Sequence, residues 1–313
     1  MVTLYRDTRM LDHVPGPQHP ERPERLSAIL RHLERTGLAR HCPTPIVRPA
    51  TDEELLRVHT PGHIAGVERA AAEGGGLVEV DTWISHGSPL AARLAAGAVV
   101  DAVTSVIEGP EHRAFCAVRP PGHHARPDHV MGFCLFASVA VAAAHAVARH
   151  ELGRILIVDF DVHHGNGTQE IFYDDPGVSF LSIHRYPFYP GSGAADETGT
   201  GRGLRTTRNV PIAAGTSRPE YLAAFRSHLE RMADQVRPEL VLLSAGFDAH
   251  AEDPVGNLGL EVEDFEEMTR GVIAVAEAHA GGRLVSVLEG GYNVPILAGC
   301  VASHLETLGA ESY

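Results

Sequence analysis

Short apolar runs alternate with longer stretches of helical spacing along this chain. Five of the runs are too short for confident helices and are typical of buried parallel strands. These predicted strands cover residues 114–118, 155–158, 178–183, 240–243 and 284–288. The predicted helices cover 89–108, 136–150, 219–236, 262–279 and 295–308. The alternation predicts an α/β fold in which helices cover both faces of a parallel sheet.

Composition narrows the class of protein. Glycine-rich pieces lie between predicted elements without a linker or a repeat, so we predict one domain over residues 1–313. A formal charge of −14 argues against nucleic-acid binding, which needs a basic face, and leaves cationic substrates or ordinary solubility open. The sequence contains no uninterrupted apolar run of about 18 residues, so no membrane span is predicted. Four cysteines without a CxxC pair suit the reducing cytoplasm, where we expect the protein to be located.

Polar and ionisable residues follow every predicted strand. Because the carboxyl ends of parallel strands meet at one edge of a sheet, a ligand site is expected there. Buried carboxylates and imidazoles are costly unless they are paired or bound to metal. The segments concerned are 119–124, 159–164, 184–186, 244–248 and 289–293.

Three of these residues predict a metal site. Asp161 and His163 are two positions apart at a strand end, so their side chains point to the same side. Asp248, after a neighbouring strand, is the obvious third ligand. Two carboxylates and one imidazole leave a position open for water and substrate, as in catalytic zinc sites, although ligand type alone also allows Fe²⁺ or Co²⁺. An isolated Asp-x-His is usually a capped loop, but the adjacent His123 and His124 favour a metal site.

The same edge carries candidate acid–base groups. His123 and His124 follow Pro-Pro-Gly, a rigid turn, and a histidine near a metal can take a proton from water and pass it to a leaving amine. Asp159 and Asn166 are the candidate partners that orient these imidazoles. Tyr292 follows two glycines and is a candidate donor to an oxyanion. A solvated loop and a packed core tyrosine are the alternatives.

Two aromatic residues are candidate walls of a substrate channel. Phe133 and Tyr189, facing each other, would grip an alkyl chain and exclude water, with core packing as an equal alternative.

Other reaction classes have less support. The chain has no G-x-S-x-G elbow of a serine hydrolase, and the glycines at 199–203 do not match the dinucleotide-binding pattern.

Several motifs together resemble the histone deacetylase superfamily, above all the class II branch and its bacterial deacetylase-like amidohydrolases. They read HPERPERL at 19–26, PGHHA at 121–125, DFDVHHGNGTQ at 159–169, SAGFD at 244–248 and EGGYN at 289–293. The match runs in order from about residue 12 to 300. The resemblance implies the arginase–deacetylase fold, a three-layer α/β/α arrangement with a central, mostly parallel sheet of about eight strands.

The resemblance also implies a zinc-dependent hydrolase that releases an amine from N-acyl, above all N-acetyl, lysine-type amides. The implied zinc ligands are Asp161, His163 and Asp248. The implied catalytic residues are the proton shuttle His124, its electrostatic partner His123, their neighbours Asn166 and Asp159, and the carbonyl-polarising Tyr292. The implied acyl-lysine tunnel contains Gly132, Phe133, Tyr189 and Val255. Arg25 aligns with an arginine beneath the active site.

Relatives in this superfamily also bind structural potassium. The first implied K⁺ site uses Asp159, Ser182, Ile183 and the backbones of Asp161 and His163. The second implied K⁺ site uses the backbones of Phe172, Asp175 and Val178.

Sequence differences from related enzymes determine which alternative functions remain. The related ureohydrolases bind two manganese ions through Asp-x-His-x-Asp, but Gly165 and His250 stand where the second metal needs carboxylates, so arginase-type chemistry is not expected. Val255 stands where polyamine-specific relatives carry Glu, which weakens an acetylpolyamine substrate without removing it. A longer-chain deacylase and a non-catalytic acyl-lysine reader remain alternatives, and Tyr292 argues against the reader. The sequence leaves the oligomeric state open.

Overall fold

Strands and helices alternate from residue 113 onward, as the apolar pattern predicts, except that two strands follow each other without an α-helix between residues 178 and 212. The computed structural model describes residues 1–310. Its strands are β1 (Val2–Arg6), β2 (Gly76–Leu77), β3 (Trp83–Ile84), β4 (Arg113–Ala117), β5 (Ile155–Asp159), β6 (Val178–Arg185), β7 (Thr207–Ile212), β8 (Leu240–Ala245) and β9 (Leu284–Leu288). Its α-helices are α1 (Pro23–Thr36), α2 (Asp52–Leu55), α3 (Pro61–Ala72), α4 (Ser88–Glu108), α5 (Ser138–His150), α6 (Asn166–Phe172), α7 (Arg218–Val236), α8 (Val262–Ala280) and α9 (Val294–Gly309).

The central sheet is parallel throughout and has the strand order β1-β4-β9-β8-β5-β6-β7. The α/β prediction is confirmed, with seven strands in this sheet over residues 1–310 instead of about eight. Strands β2 and β3 form a separate antiparallel hairpin. The five predicted strands, β4, β5, β6, β8 and β9, are the inner strands of the sheet, and their side chains are almost all buried and mostly apolar. The two edge strands were not predicted.

Helices cover both faces of the sheet. On one face α9 packs on β1 and β4, α8 on β8 and β9, and α7 on β5, β6 and β7, with α1 against α9. On the other face α4 packs on β1, β4 and β9, and α5 packs on α4 and β8. Proline occupies the first turn of α1, α3, α4, α7 and α9, where its missing N–H costs nothing and its fixed φ suits the helix. The predicted three layers are therefore confirmed.

Helix α4 belongs to the core. By length and composition it could cross a membrane, with a mean hydropathy of 1.7 over its most apolar window, but 67% of that window is buried inside the protein. Its Gly97 allows close packing, because a Cβ there would lie 2.0 Å from the carbonyl oxygen of Arg48.

All four cysteines are free thiols. The cytoplasmic location and the single domain stay predictions.

Candidate active site

The candidate metal ligands converge at the carboxyl ends of β5 and β8. These strands are neighbours, with Asp159 paired in register with Ser244, so the loops that follow them lie side by side. One ligand atom each from Asp161, His163 and Asp248 lies within 4.8 Å of the other two, and all three residues are buried. His163 Nδ1 is 3.0 Å from Asp161 Oδ1 and 3.2 Å from Asp248 Oδ2. The structure brings the predicted triad together.

The triad fits a divalent cation. Although His163 Nδ1 is near, the buried Asp248 Oδ2 has no partner with hydrogen-bond geometry. A buried carboxylate oxygen without a partner is costly, and a cation would satisfy it. Gly290 keeps the space beside it open, since a Cβ there would lie 2.2 Å from Asp248 Oδ2 and 2.5 Å from Asp161 Oδ2. The donor set is that of a catalytic zinc site.

The electrostatics of the triad also favour a bound cation. Burial and the charge of Asp161 raise the pKa of Asp248 to about 7, as expected for a carboxylate that lacks a full counter-charge. Burial lowers the pKa of His163, but the nearby carboxylates of Asp161 and Asp248 outweigh burial and raise it to about 9. A metal ion would displace this imidazole proton and supply the positive charge itself.

The two adjacent histidines lie beside the triad, in the turn after β4. Their ring centroids are 4.0 Å apart. His123 Nδ1 is 3.0 Å from Asp159 Oδ2, and His124 Nδ1 is 2.7 Å from Asn166 Oδ1. Because a carboxamide oxygen only accepts, the hydrogen of neutral His124 lies on Nδ1 and its Nε2 is an acceptor. The structure thus brings together both pairs that the sequence predicted.

These histidines have opposite protonation preferences. Burial lowers the pKa of His123, but the charges of Asp159 and Asp161 outweigh burial and raise it to about 10. Burial, together with the positive charges of His123 and His163, holds the pKa of His124 well below its usual value. At neutral pH His123 is therefore cationic and His124 is neutral, which is the state required of a proton acceptor.

Tyr292 lines the same cavity as His124. Its backbone N–H donates to Asp253 Oδ2 over 2.7 Å. The guanidinium of Arg25 lies 4.9 Å from the centroid of the tyrosine ring, and Arg25 Nε donates to the carbonyl oxygen of Gly291 over 2.6 Å. Burial raises the pKa of Tyr292 well above its usual value, against the opposing charge of Arg25. The phenol therefore keeps its proton and is a hydrogen-bond donor.

A buried network of charges connects the segments that carry these groups. Arg119 donates two hydrogen bonds to the carboxylate of Glu21, of 2.8 and 2.7 Å, and both side chains are fully buried. Glu21 also accepts from Arg25 Nη1 over 3.2 Å, and Arg25 Nη2 donates to the carbonyl oxygen of Glu289 over 2.6 Å. The carboxylate of Glu289 accepts from the backbone N–H of Gly122 over 2.7 Å. The turn before the histidine pair and the loop before the tyrosine are thereby fixed to each other.

A cavity of about 200 Å³ leads to His163. The four residues predicted to contact substrate all line it, and the full lining is Asp81, His124, Gly132, Phe133, His163, Phe188, Tyr189, Val255 and Tyr292. Phe133 lies edge-on to Tyr292 with ring centroids 5.7 Å apart, and Tyr189 lies edge-on to His124 at 5.2 Å. Aromatic walls around a narrow space suit an alkyl chain.

Three residues of this cavity region were missed by the sequence analysis. Phe188 stacks on the His163 ring, with centroids 5.3 Å apart and 14° between the planes. The Arg185 guanidinium lies 4.2 Å from the centroid of Phe188, and its Nη1 donates to the carbonyl oxygen of Gly256 over 3.0 Å. Asp81 reaches the cavity from the turn between β2 and β3, which no motif marks. An aromatic pair at 188 and 189 after a strand end was the available signal for Phe188.

The residues of the implied potassium sites lie in two places. Ser182 pairs in register with Asp159 across β5 and β6. Phe172, Asp175 and Val178 lie on the connection from α6 to β6, where the backbone N–H of Asp175 donates to the carbonyl oxygen of Phe172 over 3.1 Å. These positions leave potassium binding a prediction.

The fold and the site together define a class. A parallel α/β sheet places a buried carboxylate–carboxylate–imidazole centre and a histidine pair at the end of a narrow cavity, as in metal-dependent amidohydrolases. The sequence matches the histone deacetylase domain over residues 19–308, so the chain belongs to the histone deacetylase family. The family resemblance found in the sequence is therefore confirmed.

Similar proteins agree with this assignment. The chain is 39% identical over 291 residues to the histone deacetylase-like amidohydrolase of Pseudomonas aeruginosa, covering 93% of this chain and 77% of that protein. It is 42% identical over 300 residues to the polyamine deacetylase HDAC10 of Homo sapiens, covering 92% and 44%. The crystal structure of the HDA15 HD domain matches with a TM-score of 0.93 at 38% identity, covering 98% of this chain and 87% of that chain. The protein is an amide-hydrolysing enzyme of the deacetylase type.

Proposed function

We propose that this enzyme removes an acetyl group from the side-chain amine of lysine in a peptide or protein, using one zinc ion held by Asp161, His163 and Asp248. The observation that carries the proposal is the position of this triad, whose His163 lines the same narrow cavity as His124 and Tyr292. A lysine side chain is an unbranched alkyl chain and suits a cavity of this volume with aromatic walls.

The chemistry follows from the protonation states of the side chains. When bound, zinc supplies a Lewis acid that polarises the amide carbonyl and makes a water molecule more acidic. Neutral His124 accepts a proton from the attacking water at Nε2 and returns it to the departing nitrogen. Cationic His123 stabilises the negative charge that develops nearby, and the Tyr292 hydroxyl donates to the carbonyl oxygen as that oxygen becomes negative. The products are a carboxylate and a free amine.

A second candidate substrate is an N-acetylpolyamine. The 42% identity to a polyamine deacetylase favours it. The cavity supports this substrate only in part. Asp81 is the one carboxylate among the residues that line the cavity, and Val255 is aliphatic. A second ammonium group deep in the cavity needs an acidic partner, so we place lysine substrates first.

The test compares substrates and metal content on one sample. An acetyl-lysine peptide, a butyryl-lysine peptide and N-acetylputrescine are each incubated with the enzyme, and bound metal is measured by mass spectrometry. We expect the highest kcat/KM for the acetyl-lysine peptide, loss of activity after chelation, and recovery when zinc is added back. Faster turnover of N-acetylputrescine would transfer the proposal to polyamines, and faster turnover of the butyryl peptide would transfer it to longer acyl groups.

Two further results would reject the proposal. Undiminished hydrolysis by metal-free enzyme would remove the metal triad from the reaction. Zinc binding with no hydrolysis of any substrate would indicate an acyl-lysine binding module instead.

We also propose that K⁺ occupies the two sites implied for it. The first would use Asp159, Ser182, Ile183 and the backbones of Asp161 and His163. The second would use the backbones of Phe172, Asp175 and Val178. A ligand that binds only the folded state raises the melting temperature. Thermal unfolding in KCl and in choline chloride at equal ionic strength tests this, with a higher Tm expected in KCl. Equal melting temperatures would reject it.

A further inference from the structure

Exposed aliphatic side chains are concentrated on the hairpin formed by β2 and β3. Val80 is 87% exposed, Leu77 is 55% exposed and Val78 is 41% exposed. Single exposed aliphatic residues are ordinary on protein surfaces, but three within four positions form a group that calls for a partner. We refer to Leu77, Val78 and Val80 as the apolar rim.

The apolar rim adjoins the entrance of the active-site cavity. Asp81, the residue after Val80, is one of the cavity-lining residues. Asp81 Oδ1 accepts from the backbone N–H of Gly132 over 3.2 Å, and Thr82 Oγ1 accepts from the backbone N–H of Phe133 over 3.0 Å. The turn that carries Val80 is therefore hydrogen-bonded directly to the cavity wall that carries Phe133.

The hairpin is also held in one conformation. The backbone N–H of Val78 donates to the carbonyl oxygen of Thr82 over 2.9 Å, which closes the turn around Val80. Gly75 lies so close to β3 that a Cβ there would be 2.2 Å from the carbonyl oxygen of Ile84. A surface fixed in this way loses little conformational entropy when it binds a partner.

We propose that the apolar rim binds an apolar side chain of the substrate peptide, adjacent in sequence to the acylated lysine. This inference rests on the proposed function. A lysine side chain inserted into the cavity places the peptide backbone at the entrance, so the neighbouring side chains meet the surface beside Asp81. Continuity with the cavity thus selects the substrate as the occupant. A second copy of the chain fits less well, because stable dimers bury roughly 800 Å² per partner and three aliphatic side chains offer a small part of that area.

The experiment pairs two variants with three substrates. The double variant Val78→Ser/Val80→Ser removes two methyl groups from each of two rim positions. Leu204→Ser is the matched control, since Leu204 is 57% exposed but lies three residues before β7, at the amino end of a parallel strand, whereas the active site lies at the carboxyl ends of the strands. The substrates are two acetyl-lysine peptides that differ only in Leu or Ser beside the acetyl-lysine, and a single acetyl-lysine residue with both ends capped.

We expect wild-type enzyme to prefer the Leu peptide by about three- to tenfold in kcat/KM, the range expected for burying one or two methylene groups. The double variant should lose this preference through a higher KM, with unchanged kcat and unchanged turnover of the capped acetyl-lysine. The Leu204→Ser control should behave as wild type. Because the substituted side chains are exposed, the melting temperature of each variant serves only to verify folding.

The contrary outcomes separate the inference from the proposed function. Hydrolysis of all three substrates with the same Leu-to-Ser ratio in wild type and double variant would overturn the inference alone. Failure of zinc-loaded wild type to hydrolyse any of them would overturn the proposed function and the inference with it. Self-association of wild type in analytical ultracentrifugation that the double variant loses would assign the rim to a second copy and overturn the inference.

Discussion

His124 Nδ1 donates a hydrogen bond of 2.7 Å to Asn166 Oδ1. The partner of this imidazole is a neutral amide, whereas the neighbouring His123 has the carboxylate of Asp159 as its partner at 3.0 Å. An uncharged acceptor fixes the tautomer of His124 without stabilising its cation. The two partners therefore help to keep one histidine neutral and the other charged.

Replacing this amide by a carboxylate should change the pH profile. In Asn166→Asp the added negative charge raises the pKa of His124, so the histidine becomes protonated at a higher pH and loses its acceptor nitrogen. We expect the acidic limb of kcat/KM against pH to move upward by about one unit. Asn166→Ala is the control, with a kcat about 10- to 100-fold lower and no upward shift of that limb. An unmoved limb in Asn166→Asp would contradict the assignment of His124 as proton acceptor.

The hydroxyl of Tyr292 should matter for rate and not for metal binding. Tyr292→Phe keeps the ring beside Arg25 and Phe133 but removes the donor, so kcat should fall about 10²- to 10³-fold while zinc content stays the same. Steady-state kinetics and metal analysis on one preparation measure both quantities. Turnover equal to wild type would show that another group stabilises the carbonyl oxygen.

Gly290 should be required for metal binding. An added Cβ at this position would lie 2.2 Å from Asp248 Oδ2, so Gly290→Ala should displace the ligand and strongly reduce bound zinc. Gly299→Ala in α9 is the matched control, because nothing lies within 4 Å of the added Cβ. Alanine favours a helix over glycine by about 0.5–1 kcal/mol, so this control should keep its zinc and be slightly more stable. Full zinc occupancy in Gly290→Ala would refute the prediction.

Arg185 should act on substrate binding through Phe188. Arg185→Met keeps most of the side-chain volume but removes the contact with the Phe188 ring and the hydrogen bond to Gly256, together worth about 1–2 kcal/mol. We expect KM to rise about three- to tenfold with little change in kcat, and Arg185→Lys to recover part of the loss. Arg40→Met, at an exposed arginine, is the control. A fall in kcat at constant KM would place the role of Arg185 elsewhere.

His304, which is not part of the active site, should make folding stability depend on pH. It is buried between the hydroxyls of Thr269 and Ser286, each 2.8 Å from a ring nitrogen, and burial lowers its pKa to about 3. The unfolded chain takes up this proton near pH 6.5, so folding stability falls as pH drops from 6.5 toward 3, by at most about 1.4 kcal/mol per unit from this group.

The matched variant is His304→Gln, which keeps hydrogen-bonding atoms but does not titrate. Between pH 7 and pH 5 wild type should lose about 2 kcal/mol more than this variant in the free energy of unfolding by urea. Equal losses in the two proteins would show that His304 is not held neutral in the folded state.

The fold was predictable where strands are buried on both faces. There the side chains form continuous apolar runs, and helical spacing between the runs located α4, α5, α7, α8 and α9 within two residues. The edge strands were not predictable in this way. Thr3 interrupts the run of β1, and Asn209 and Pro211 interrupt that of β7. Proline is tolerated in β7 because an edge strand has a side without a hydrogen-bonded neighbour.

The polar part of the site was predictable for a similar reason. Asp161 and His163 point the same way because of the period of extended chain, and Asp248 joins them because adjacent parallel strands end together. Phe188 and Asp81 depend on loops, whose conformation is set by tertiary contacts that no short pattern encodes. The contact between Arg25 and Gly291 joins positions 266 residues apart, so no short sequence pattern could predict it either.

Strand β9 is the last strand along the chain, yet it lies between β4 and β8 near the middle of the sheet. Without residues 284–288 the sheet would divide into β1-β4 and β8-β5-β6-β7, each with an unpaired inner edge that could associate with other chains. The histidine pair follows a strand of one half, and all three metal ligands follow strands of the other. The active site can therefore form only after residues 284–288 have been synthesised and β9 has joined β4 to β8.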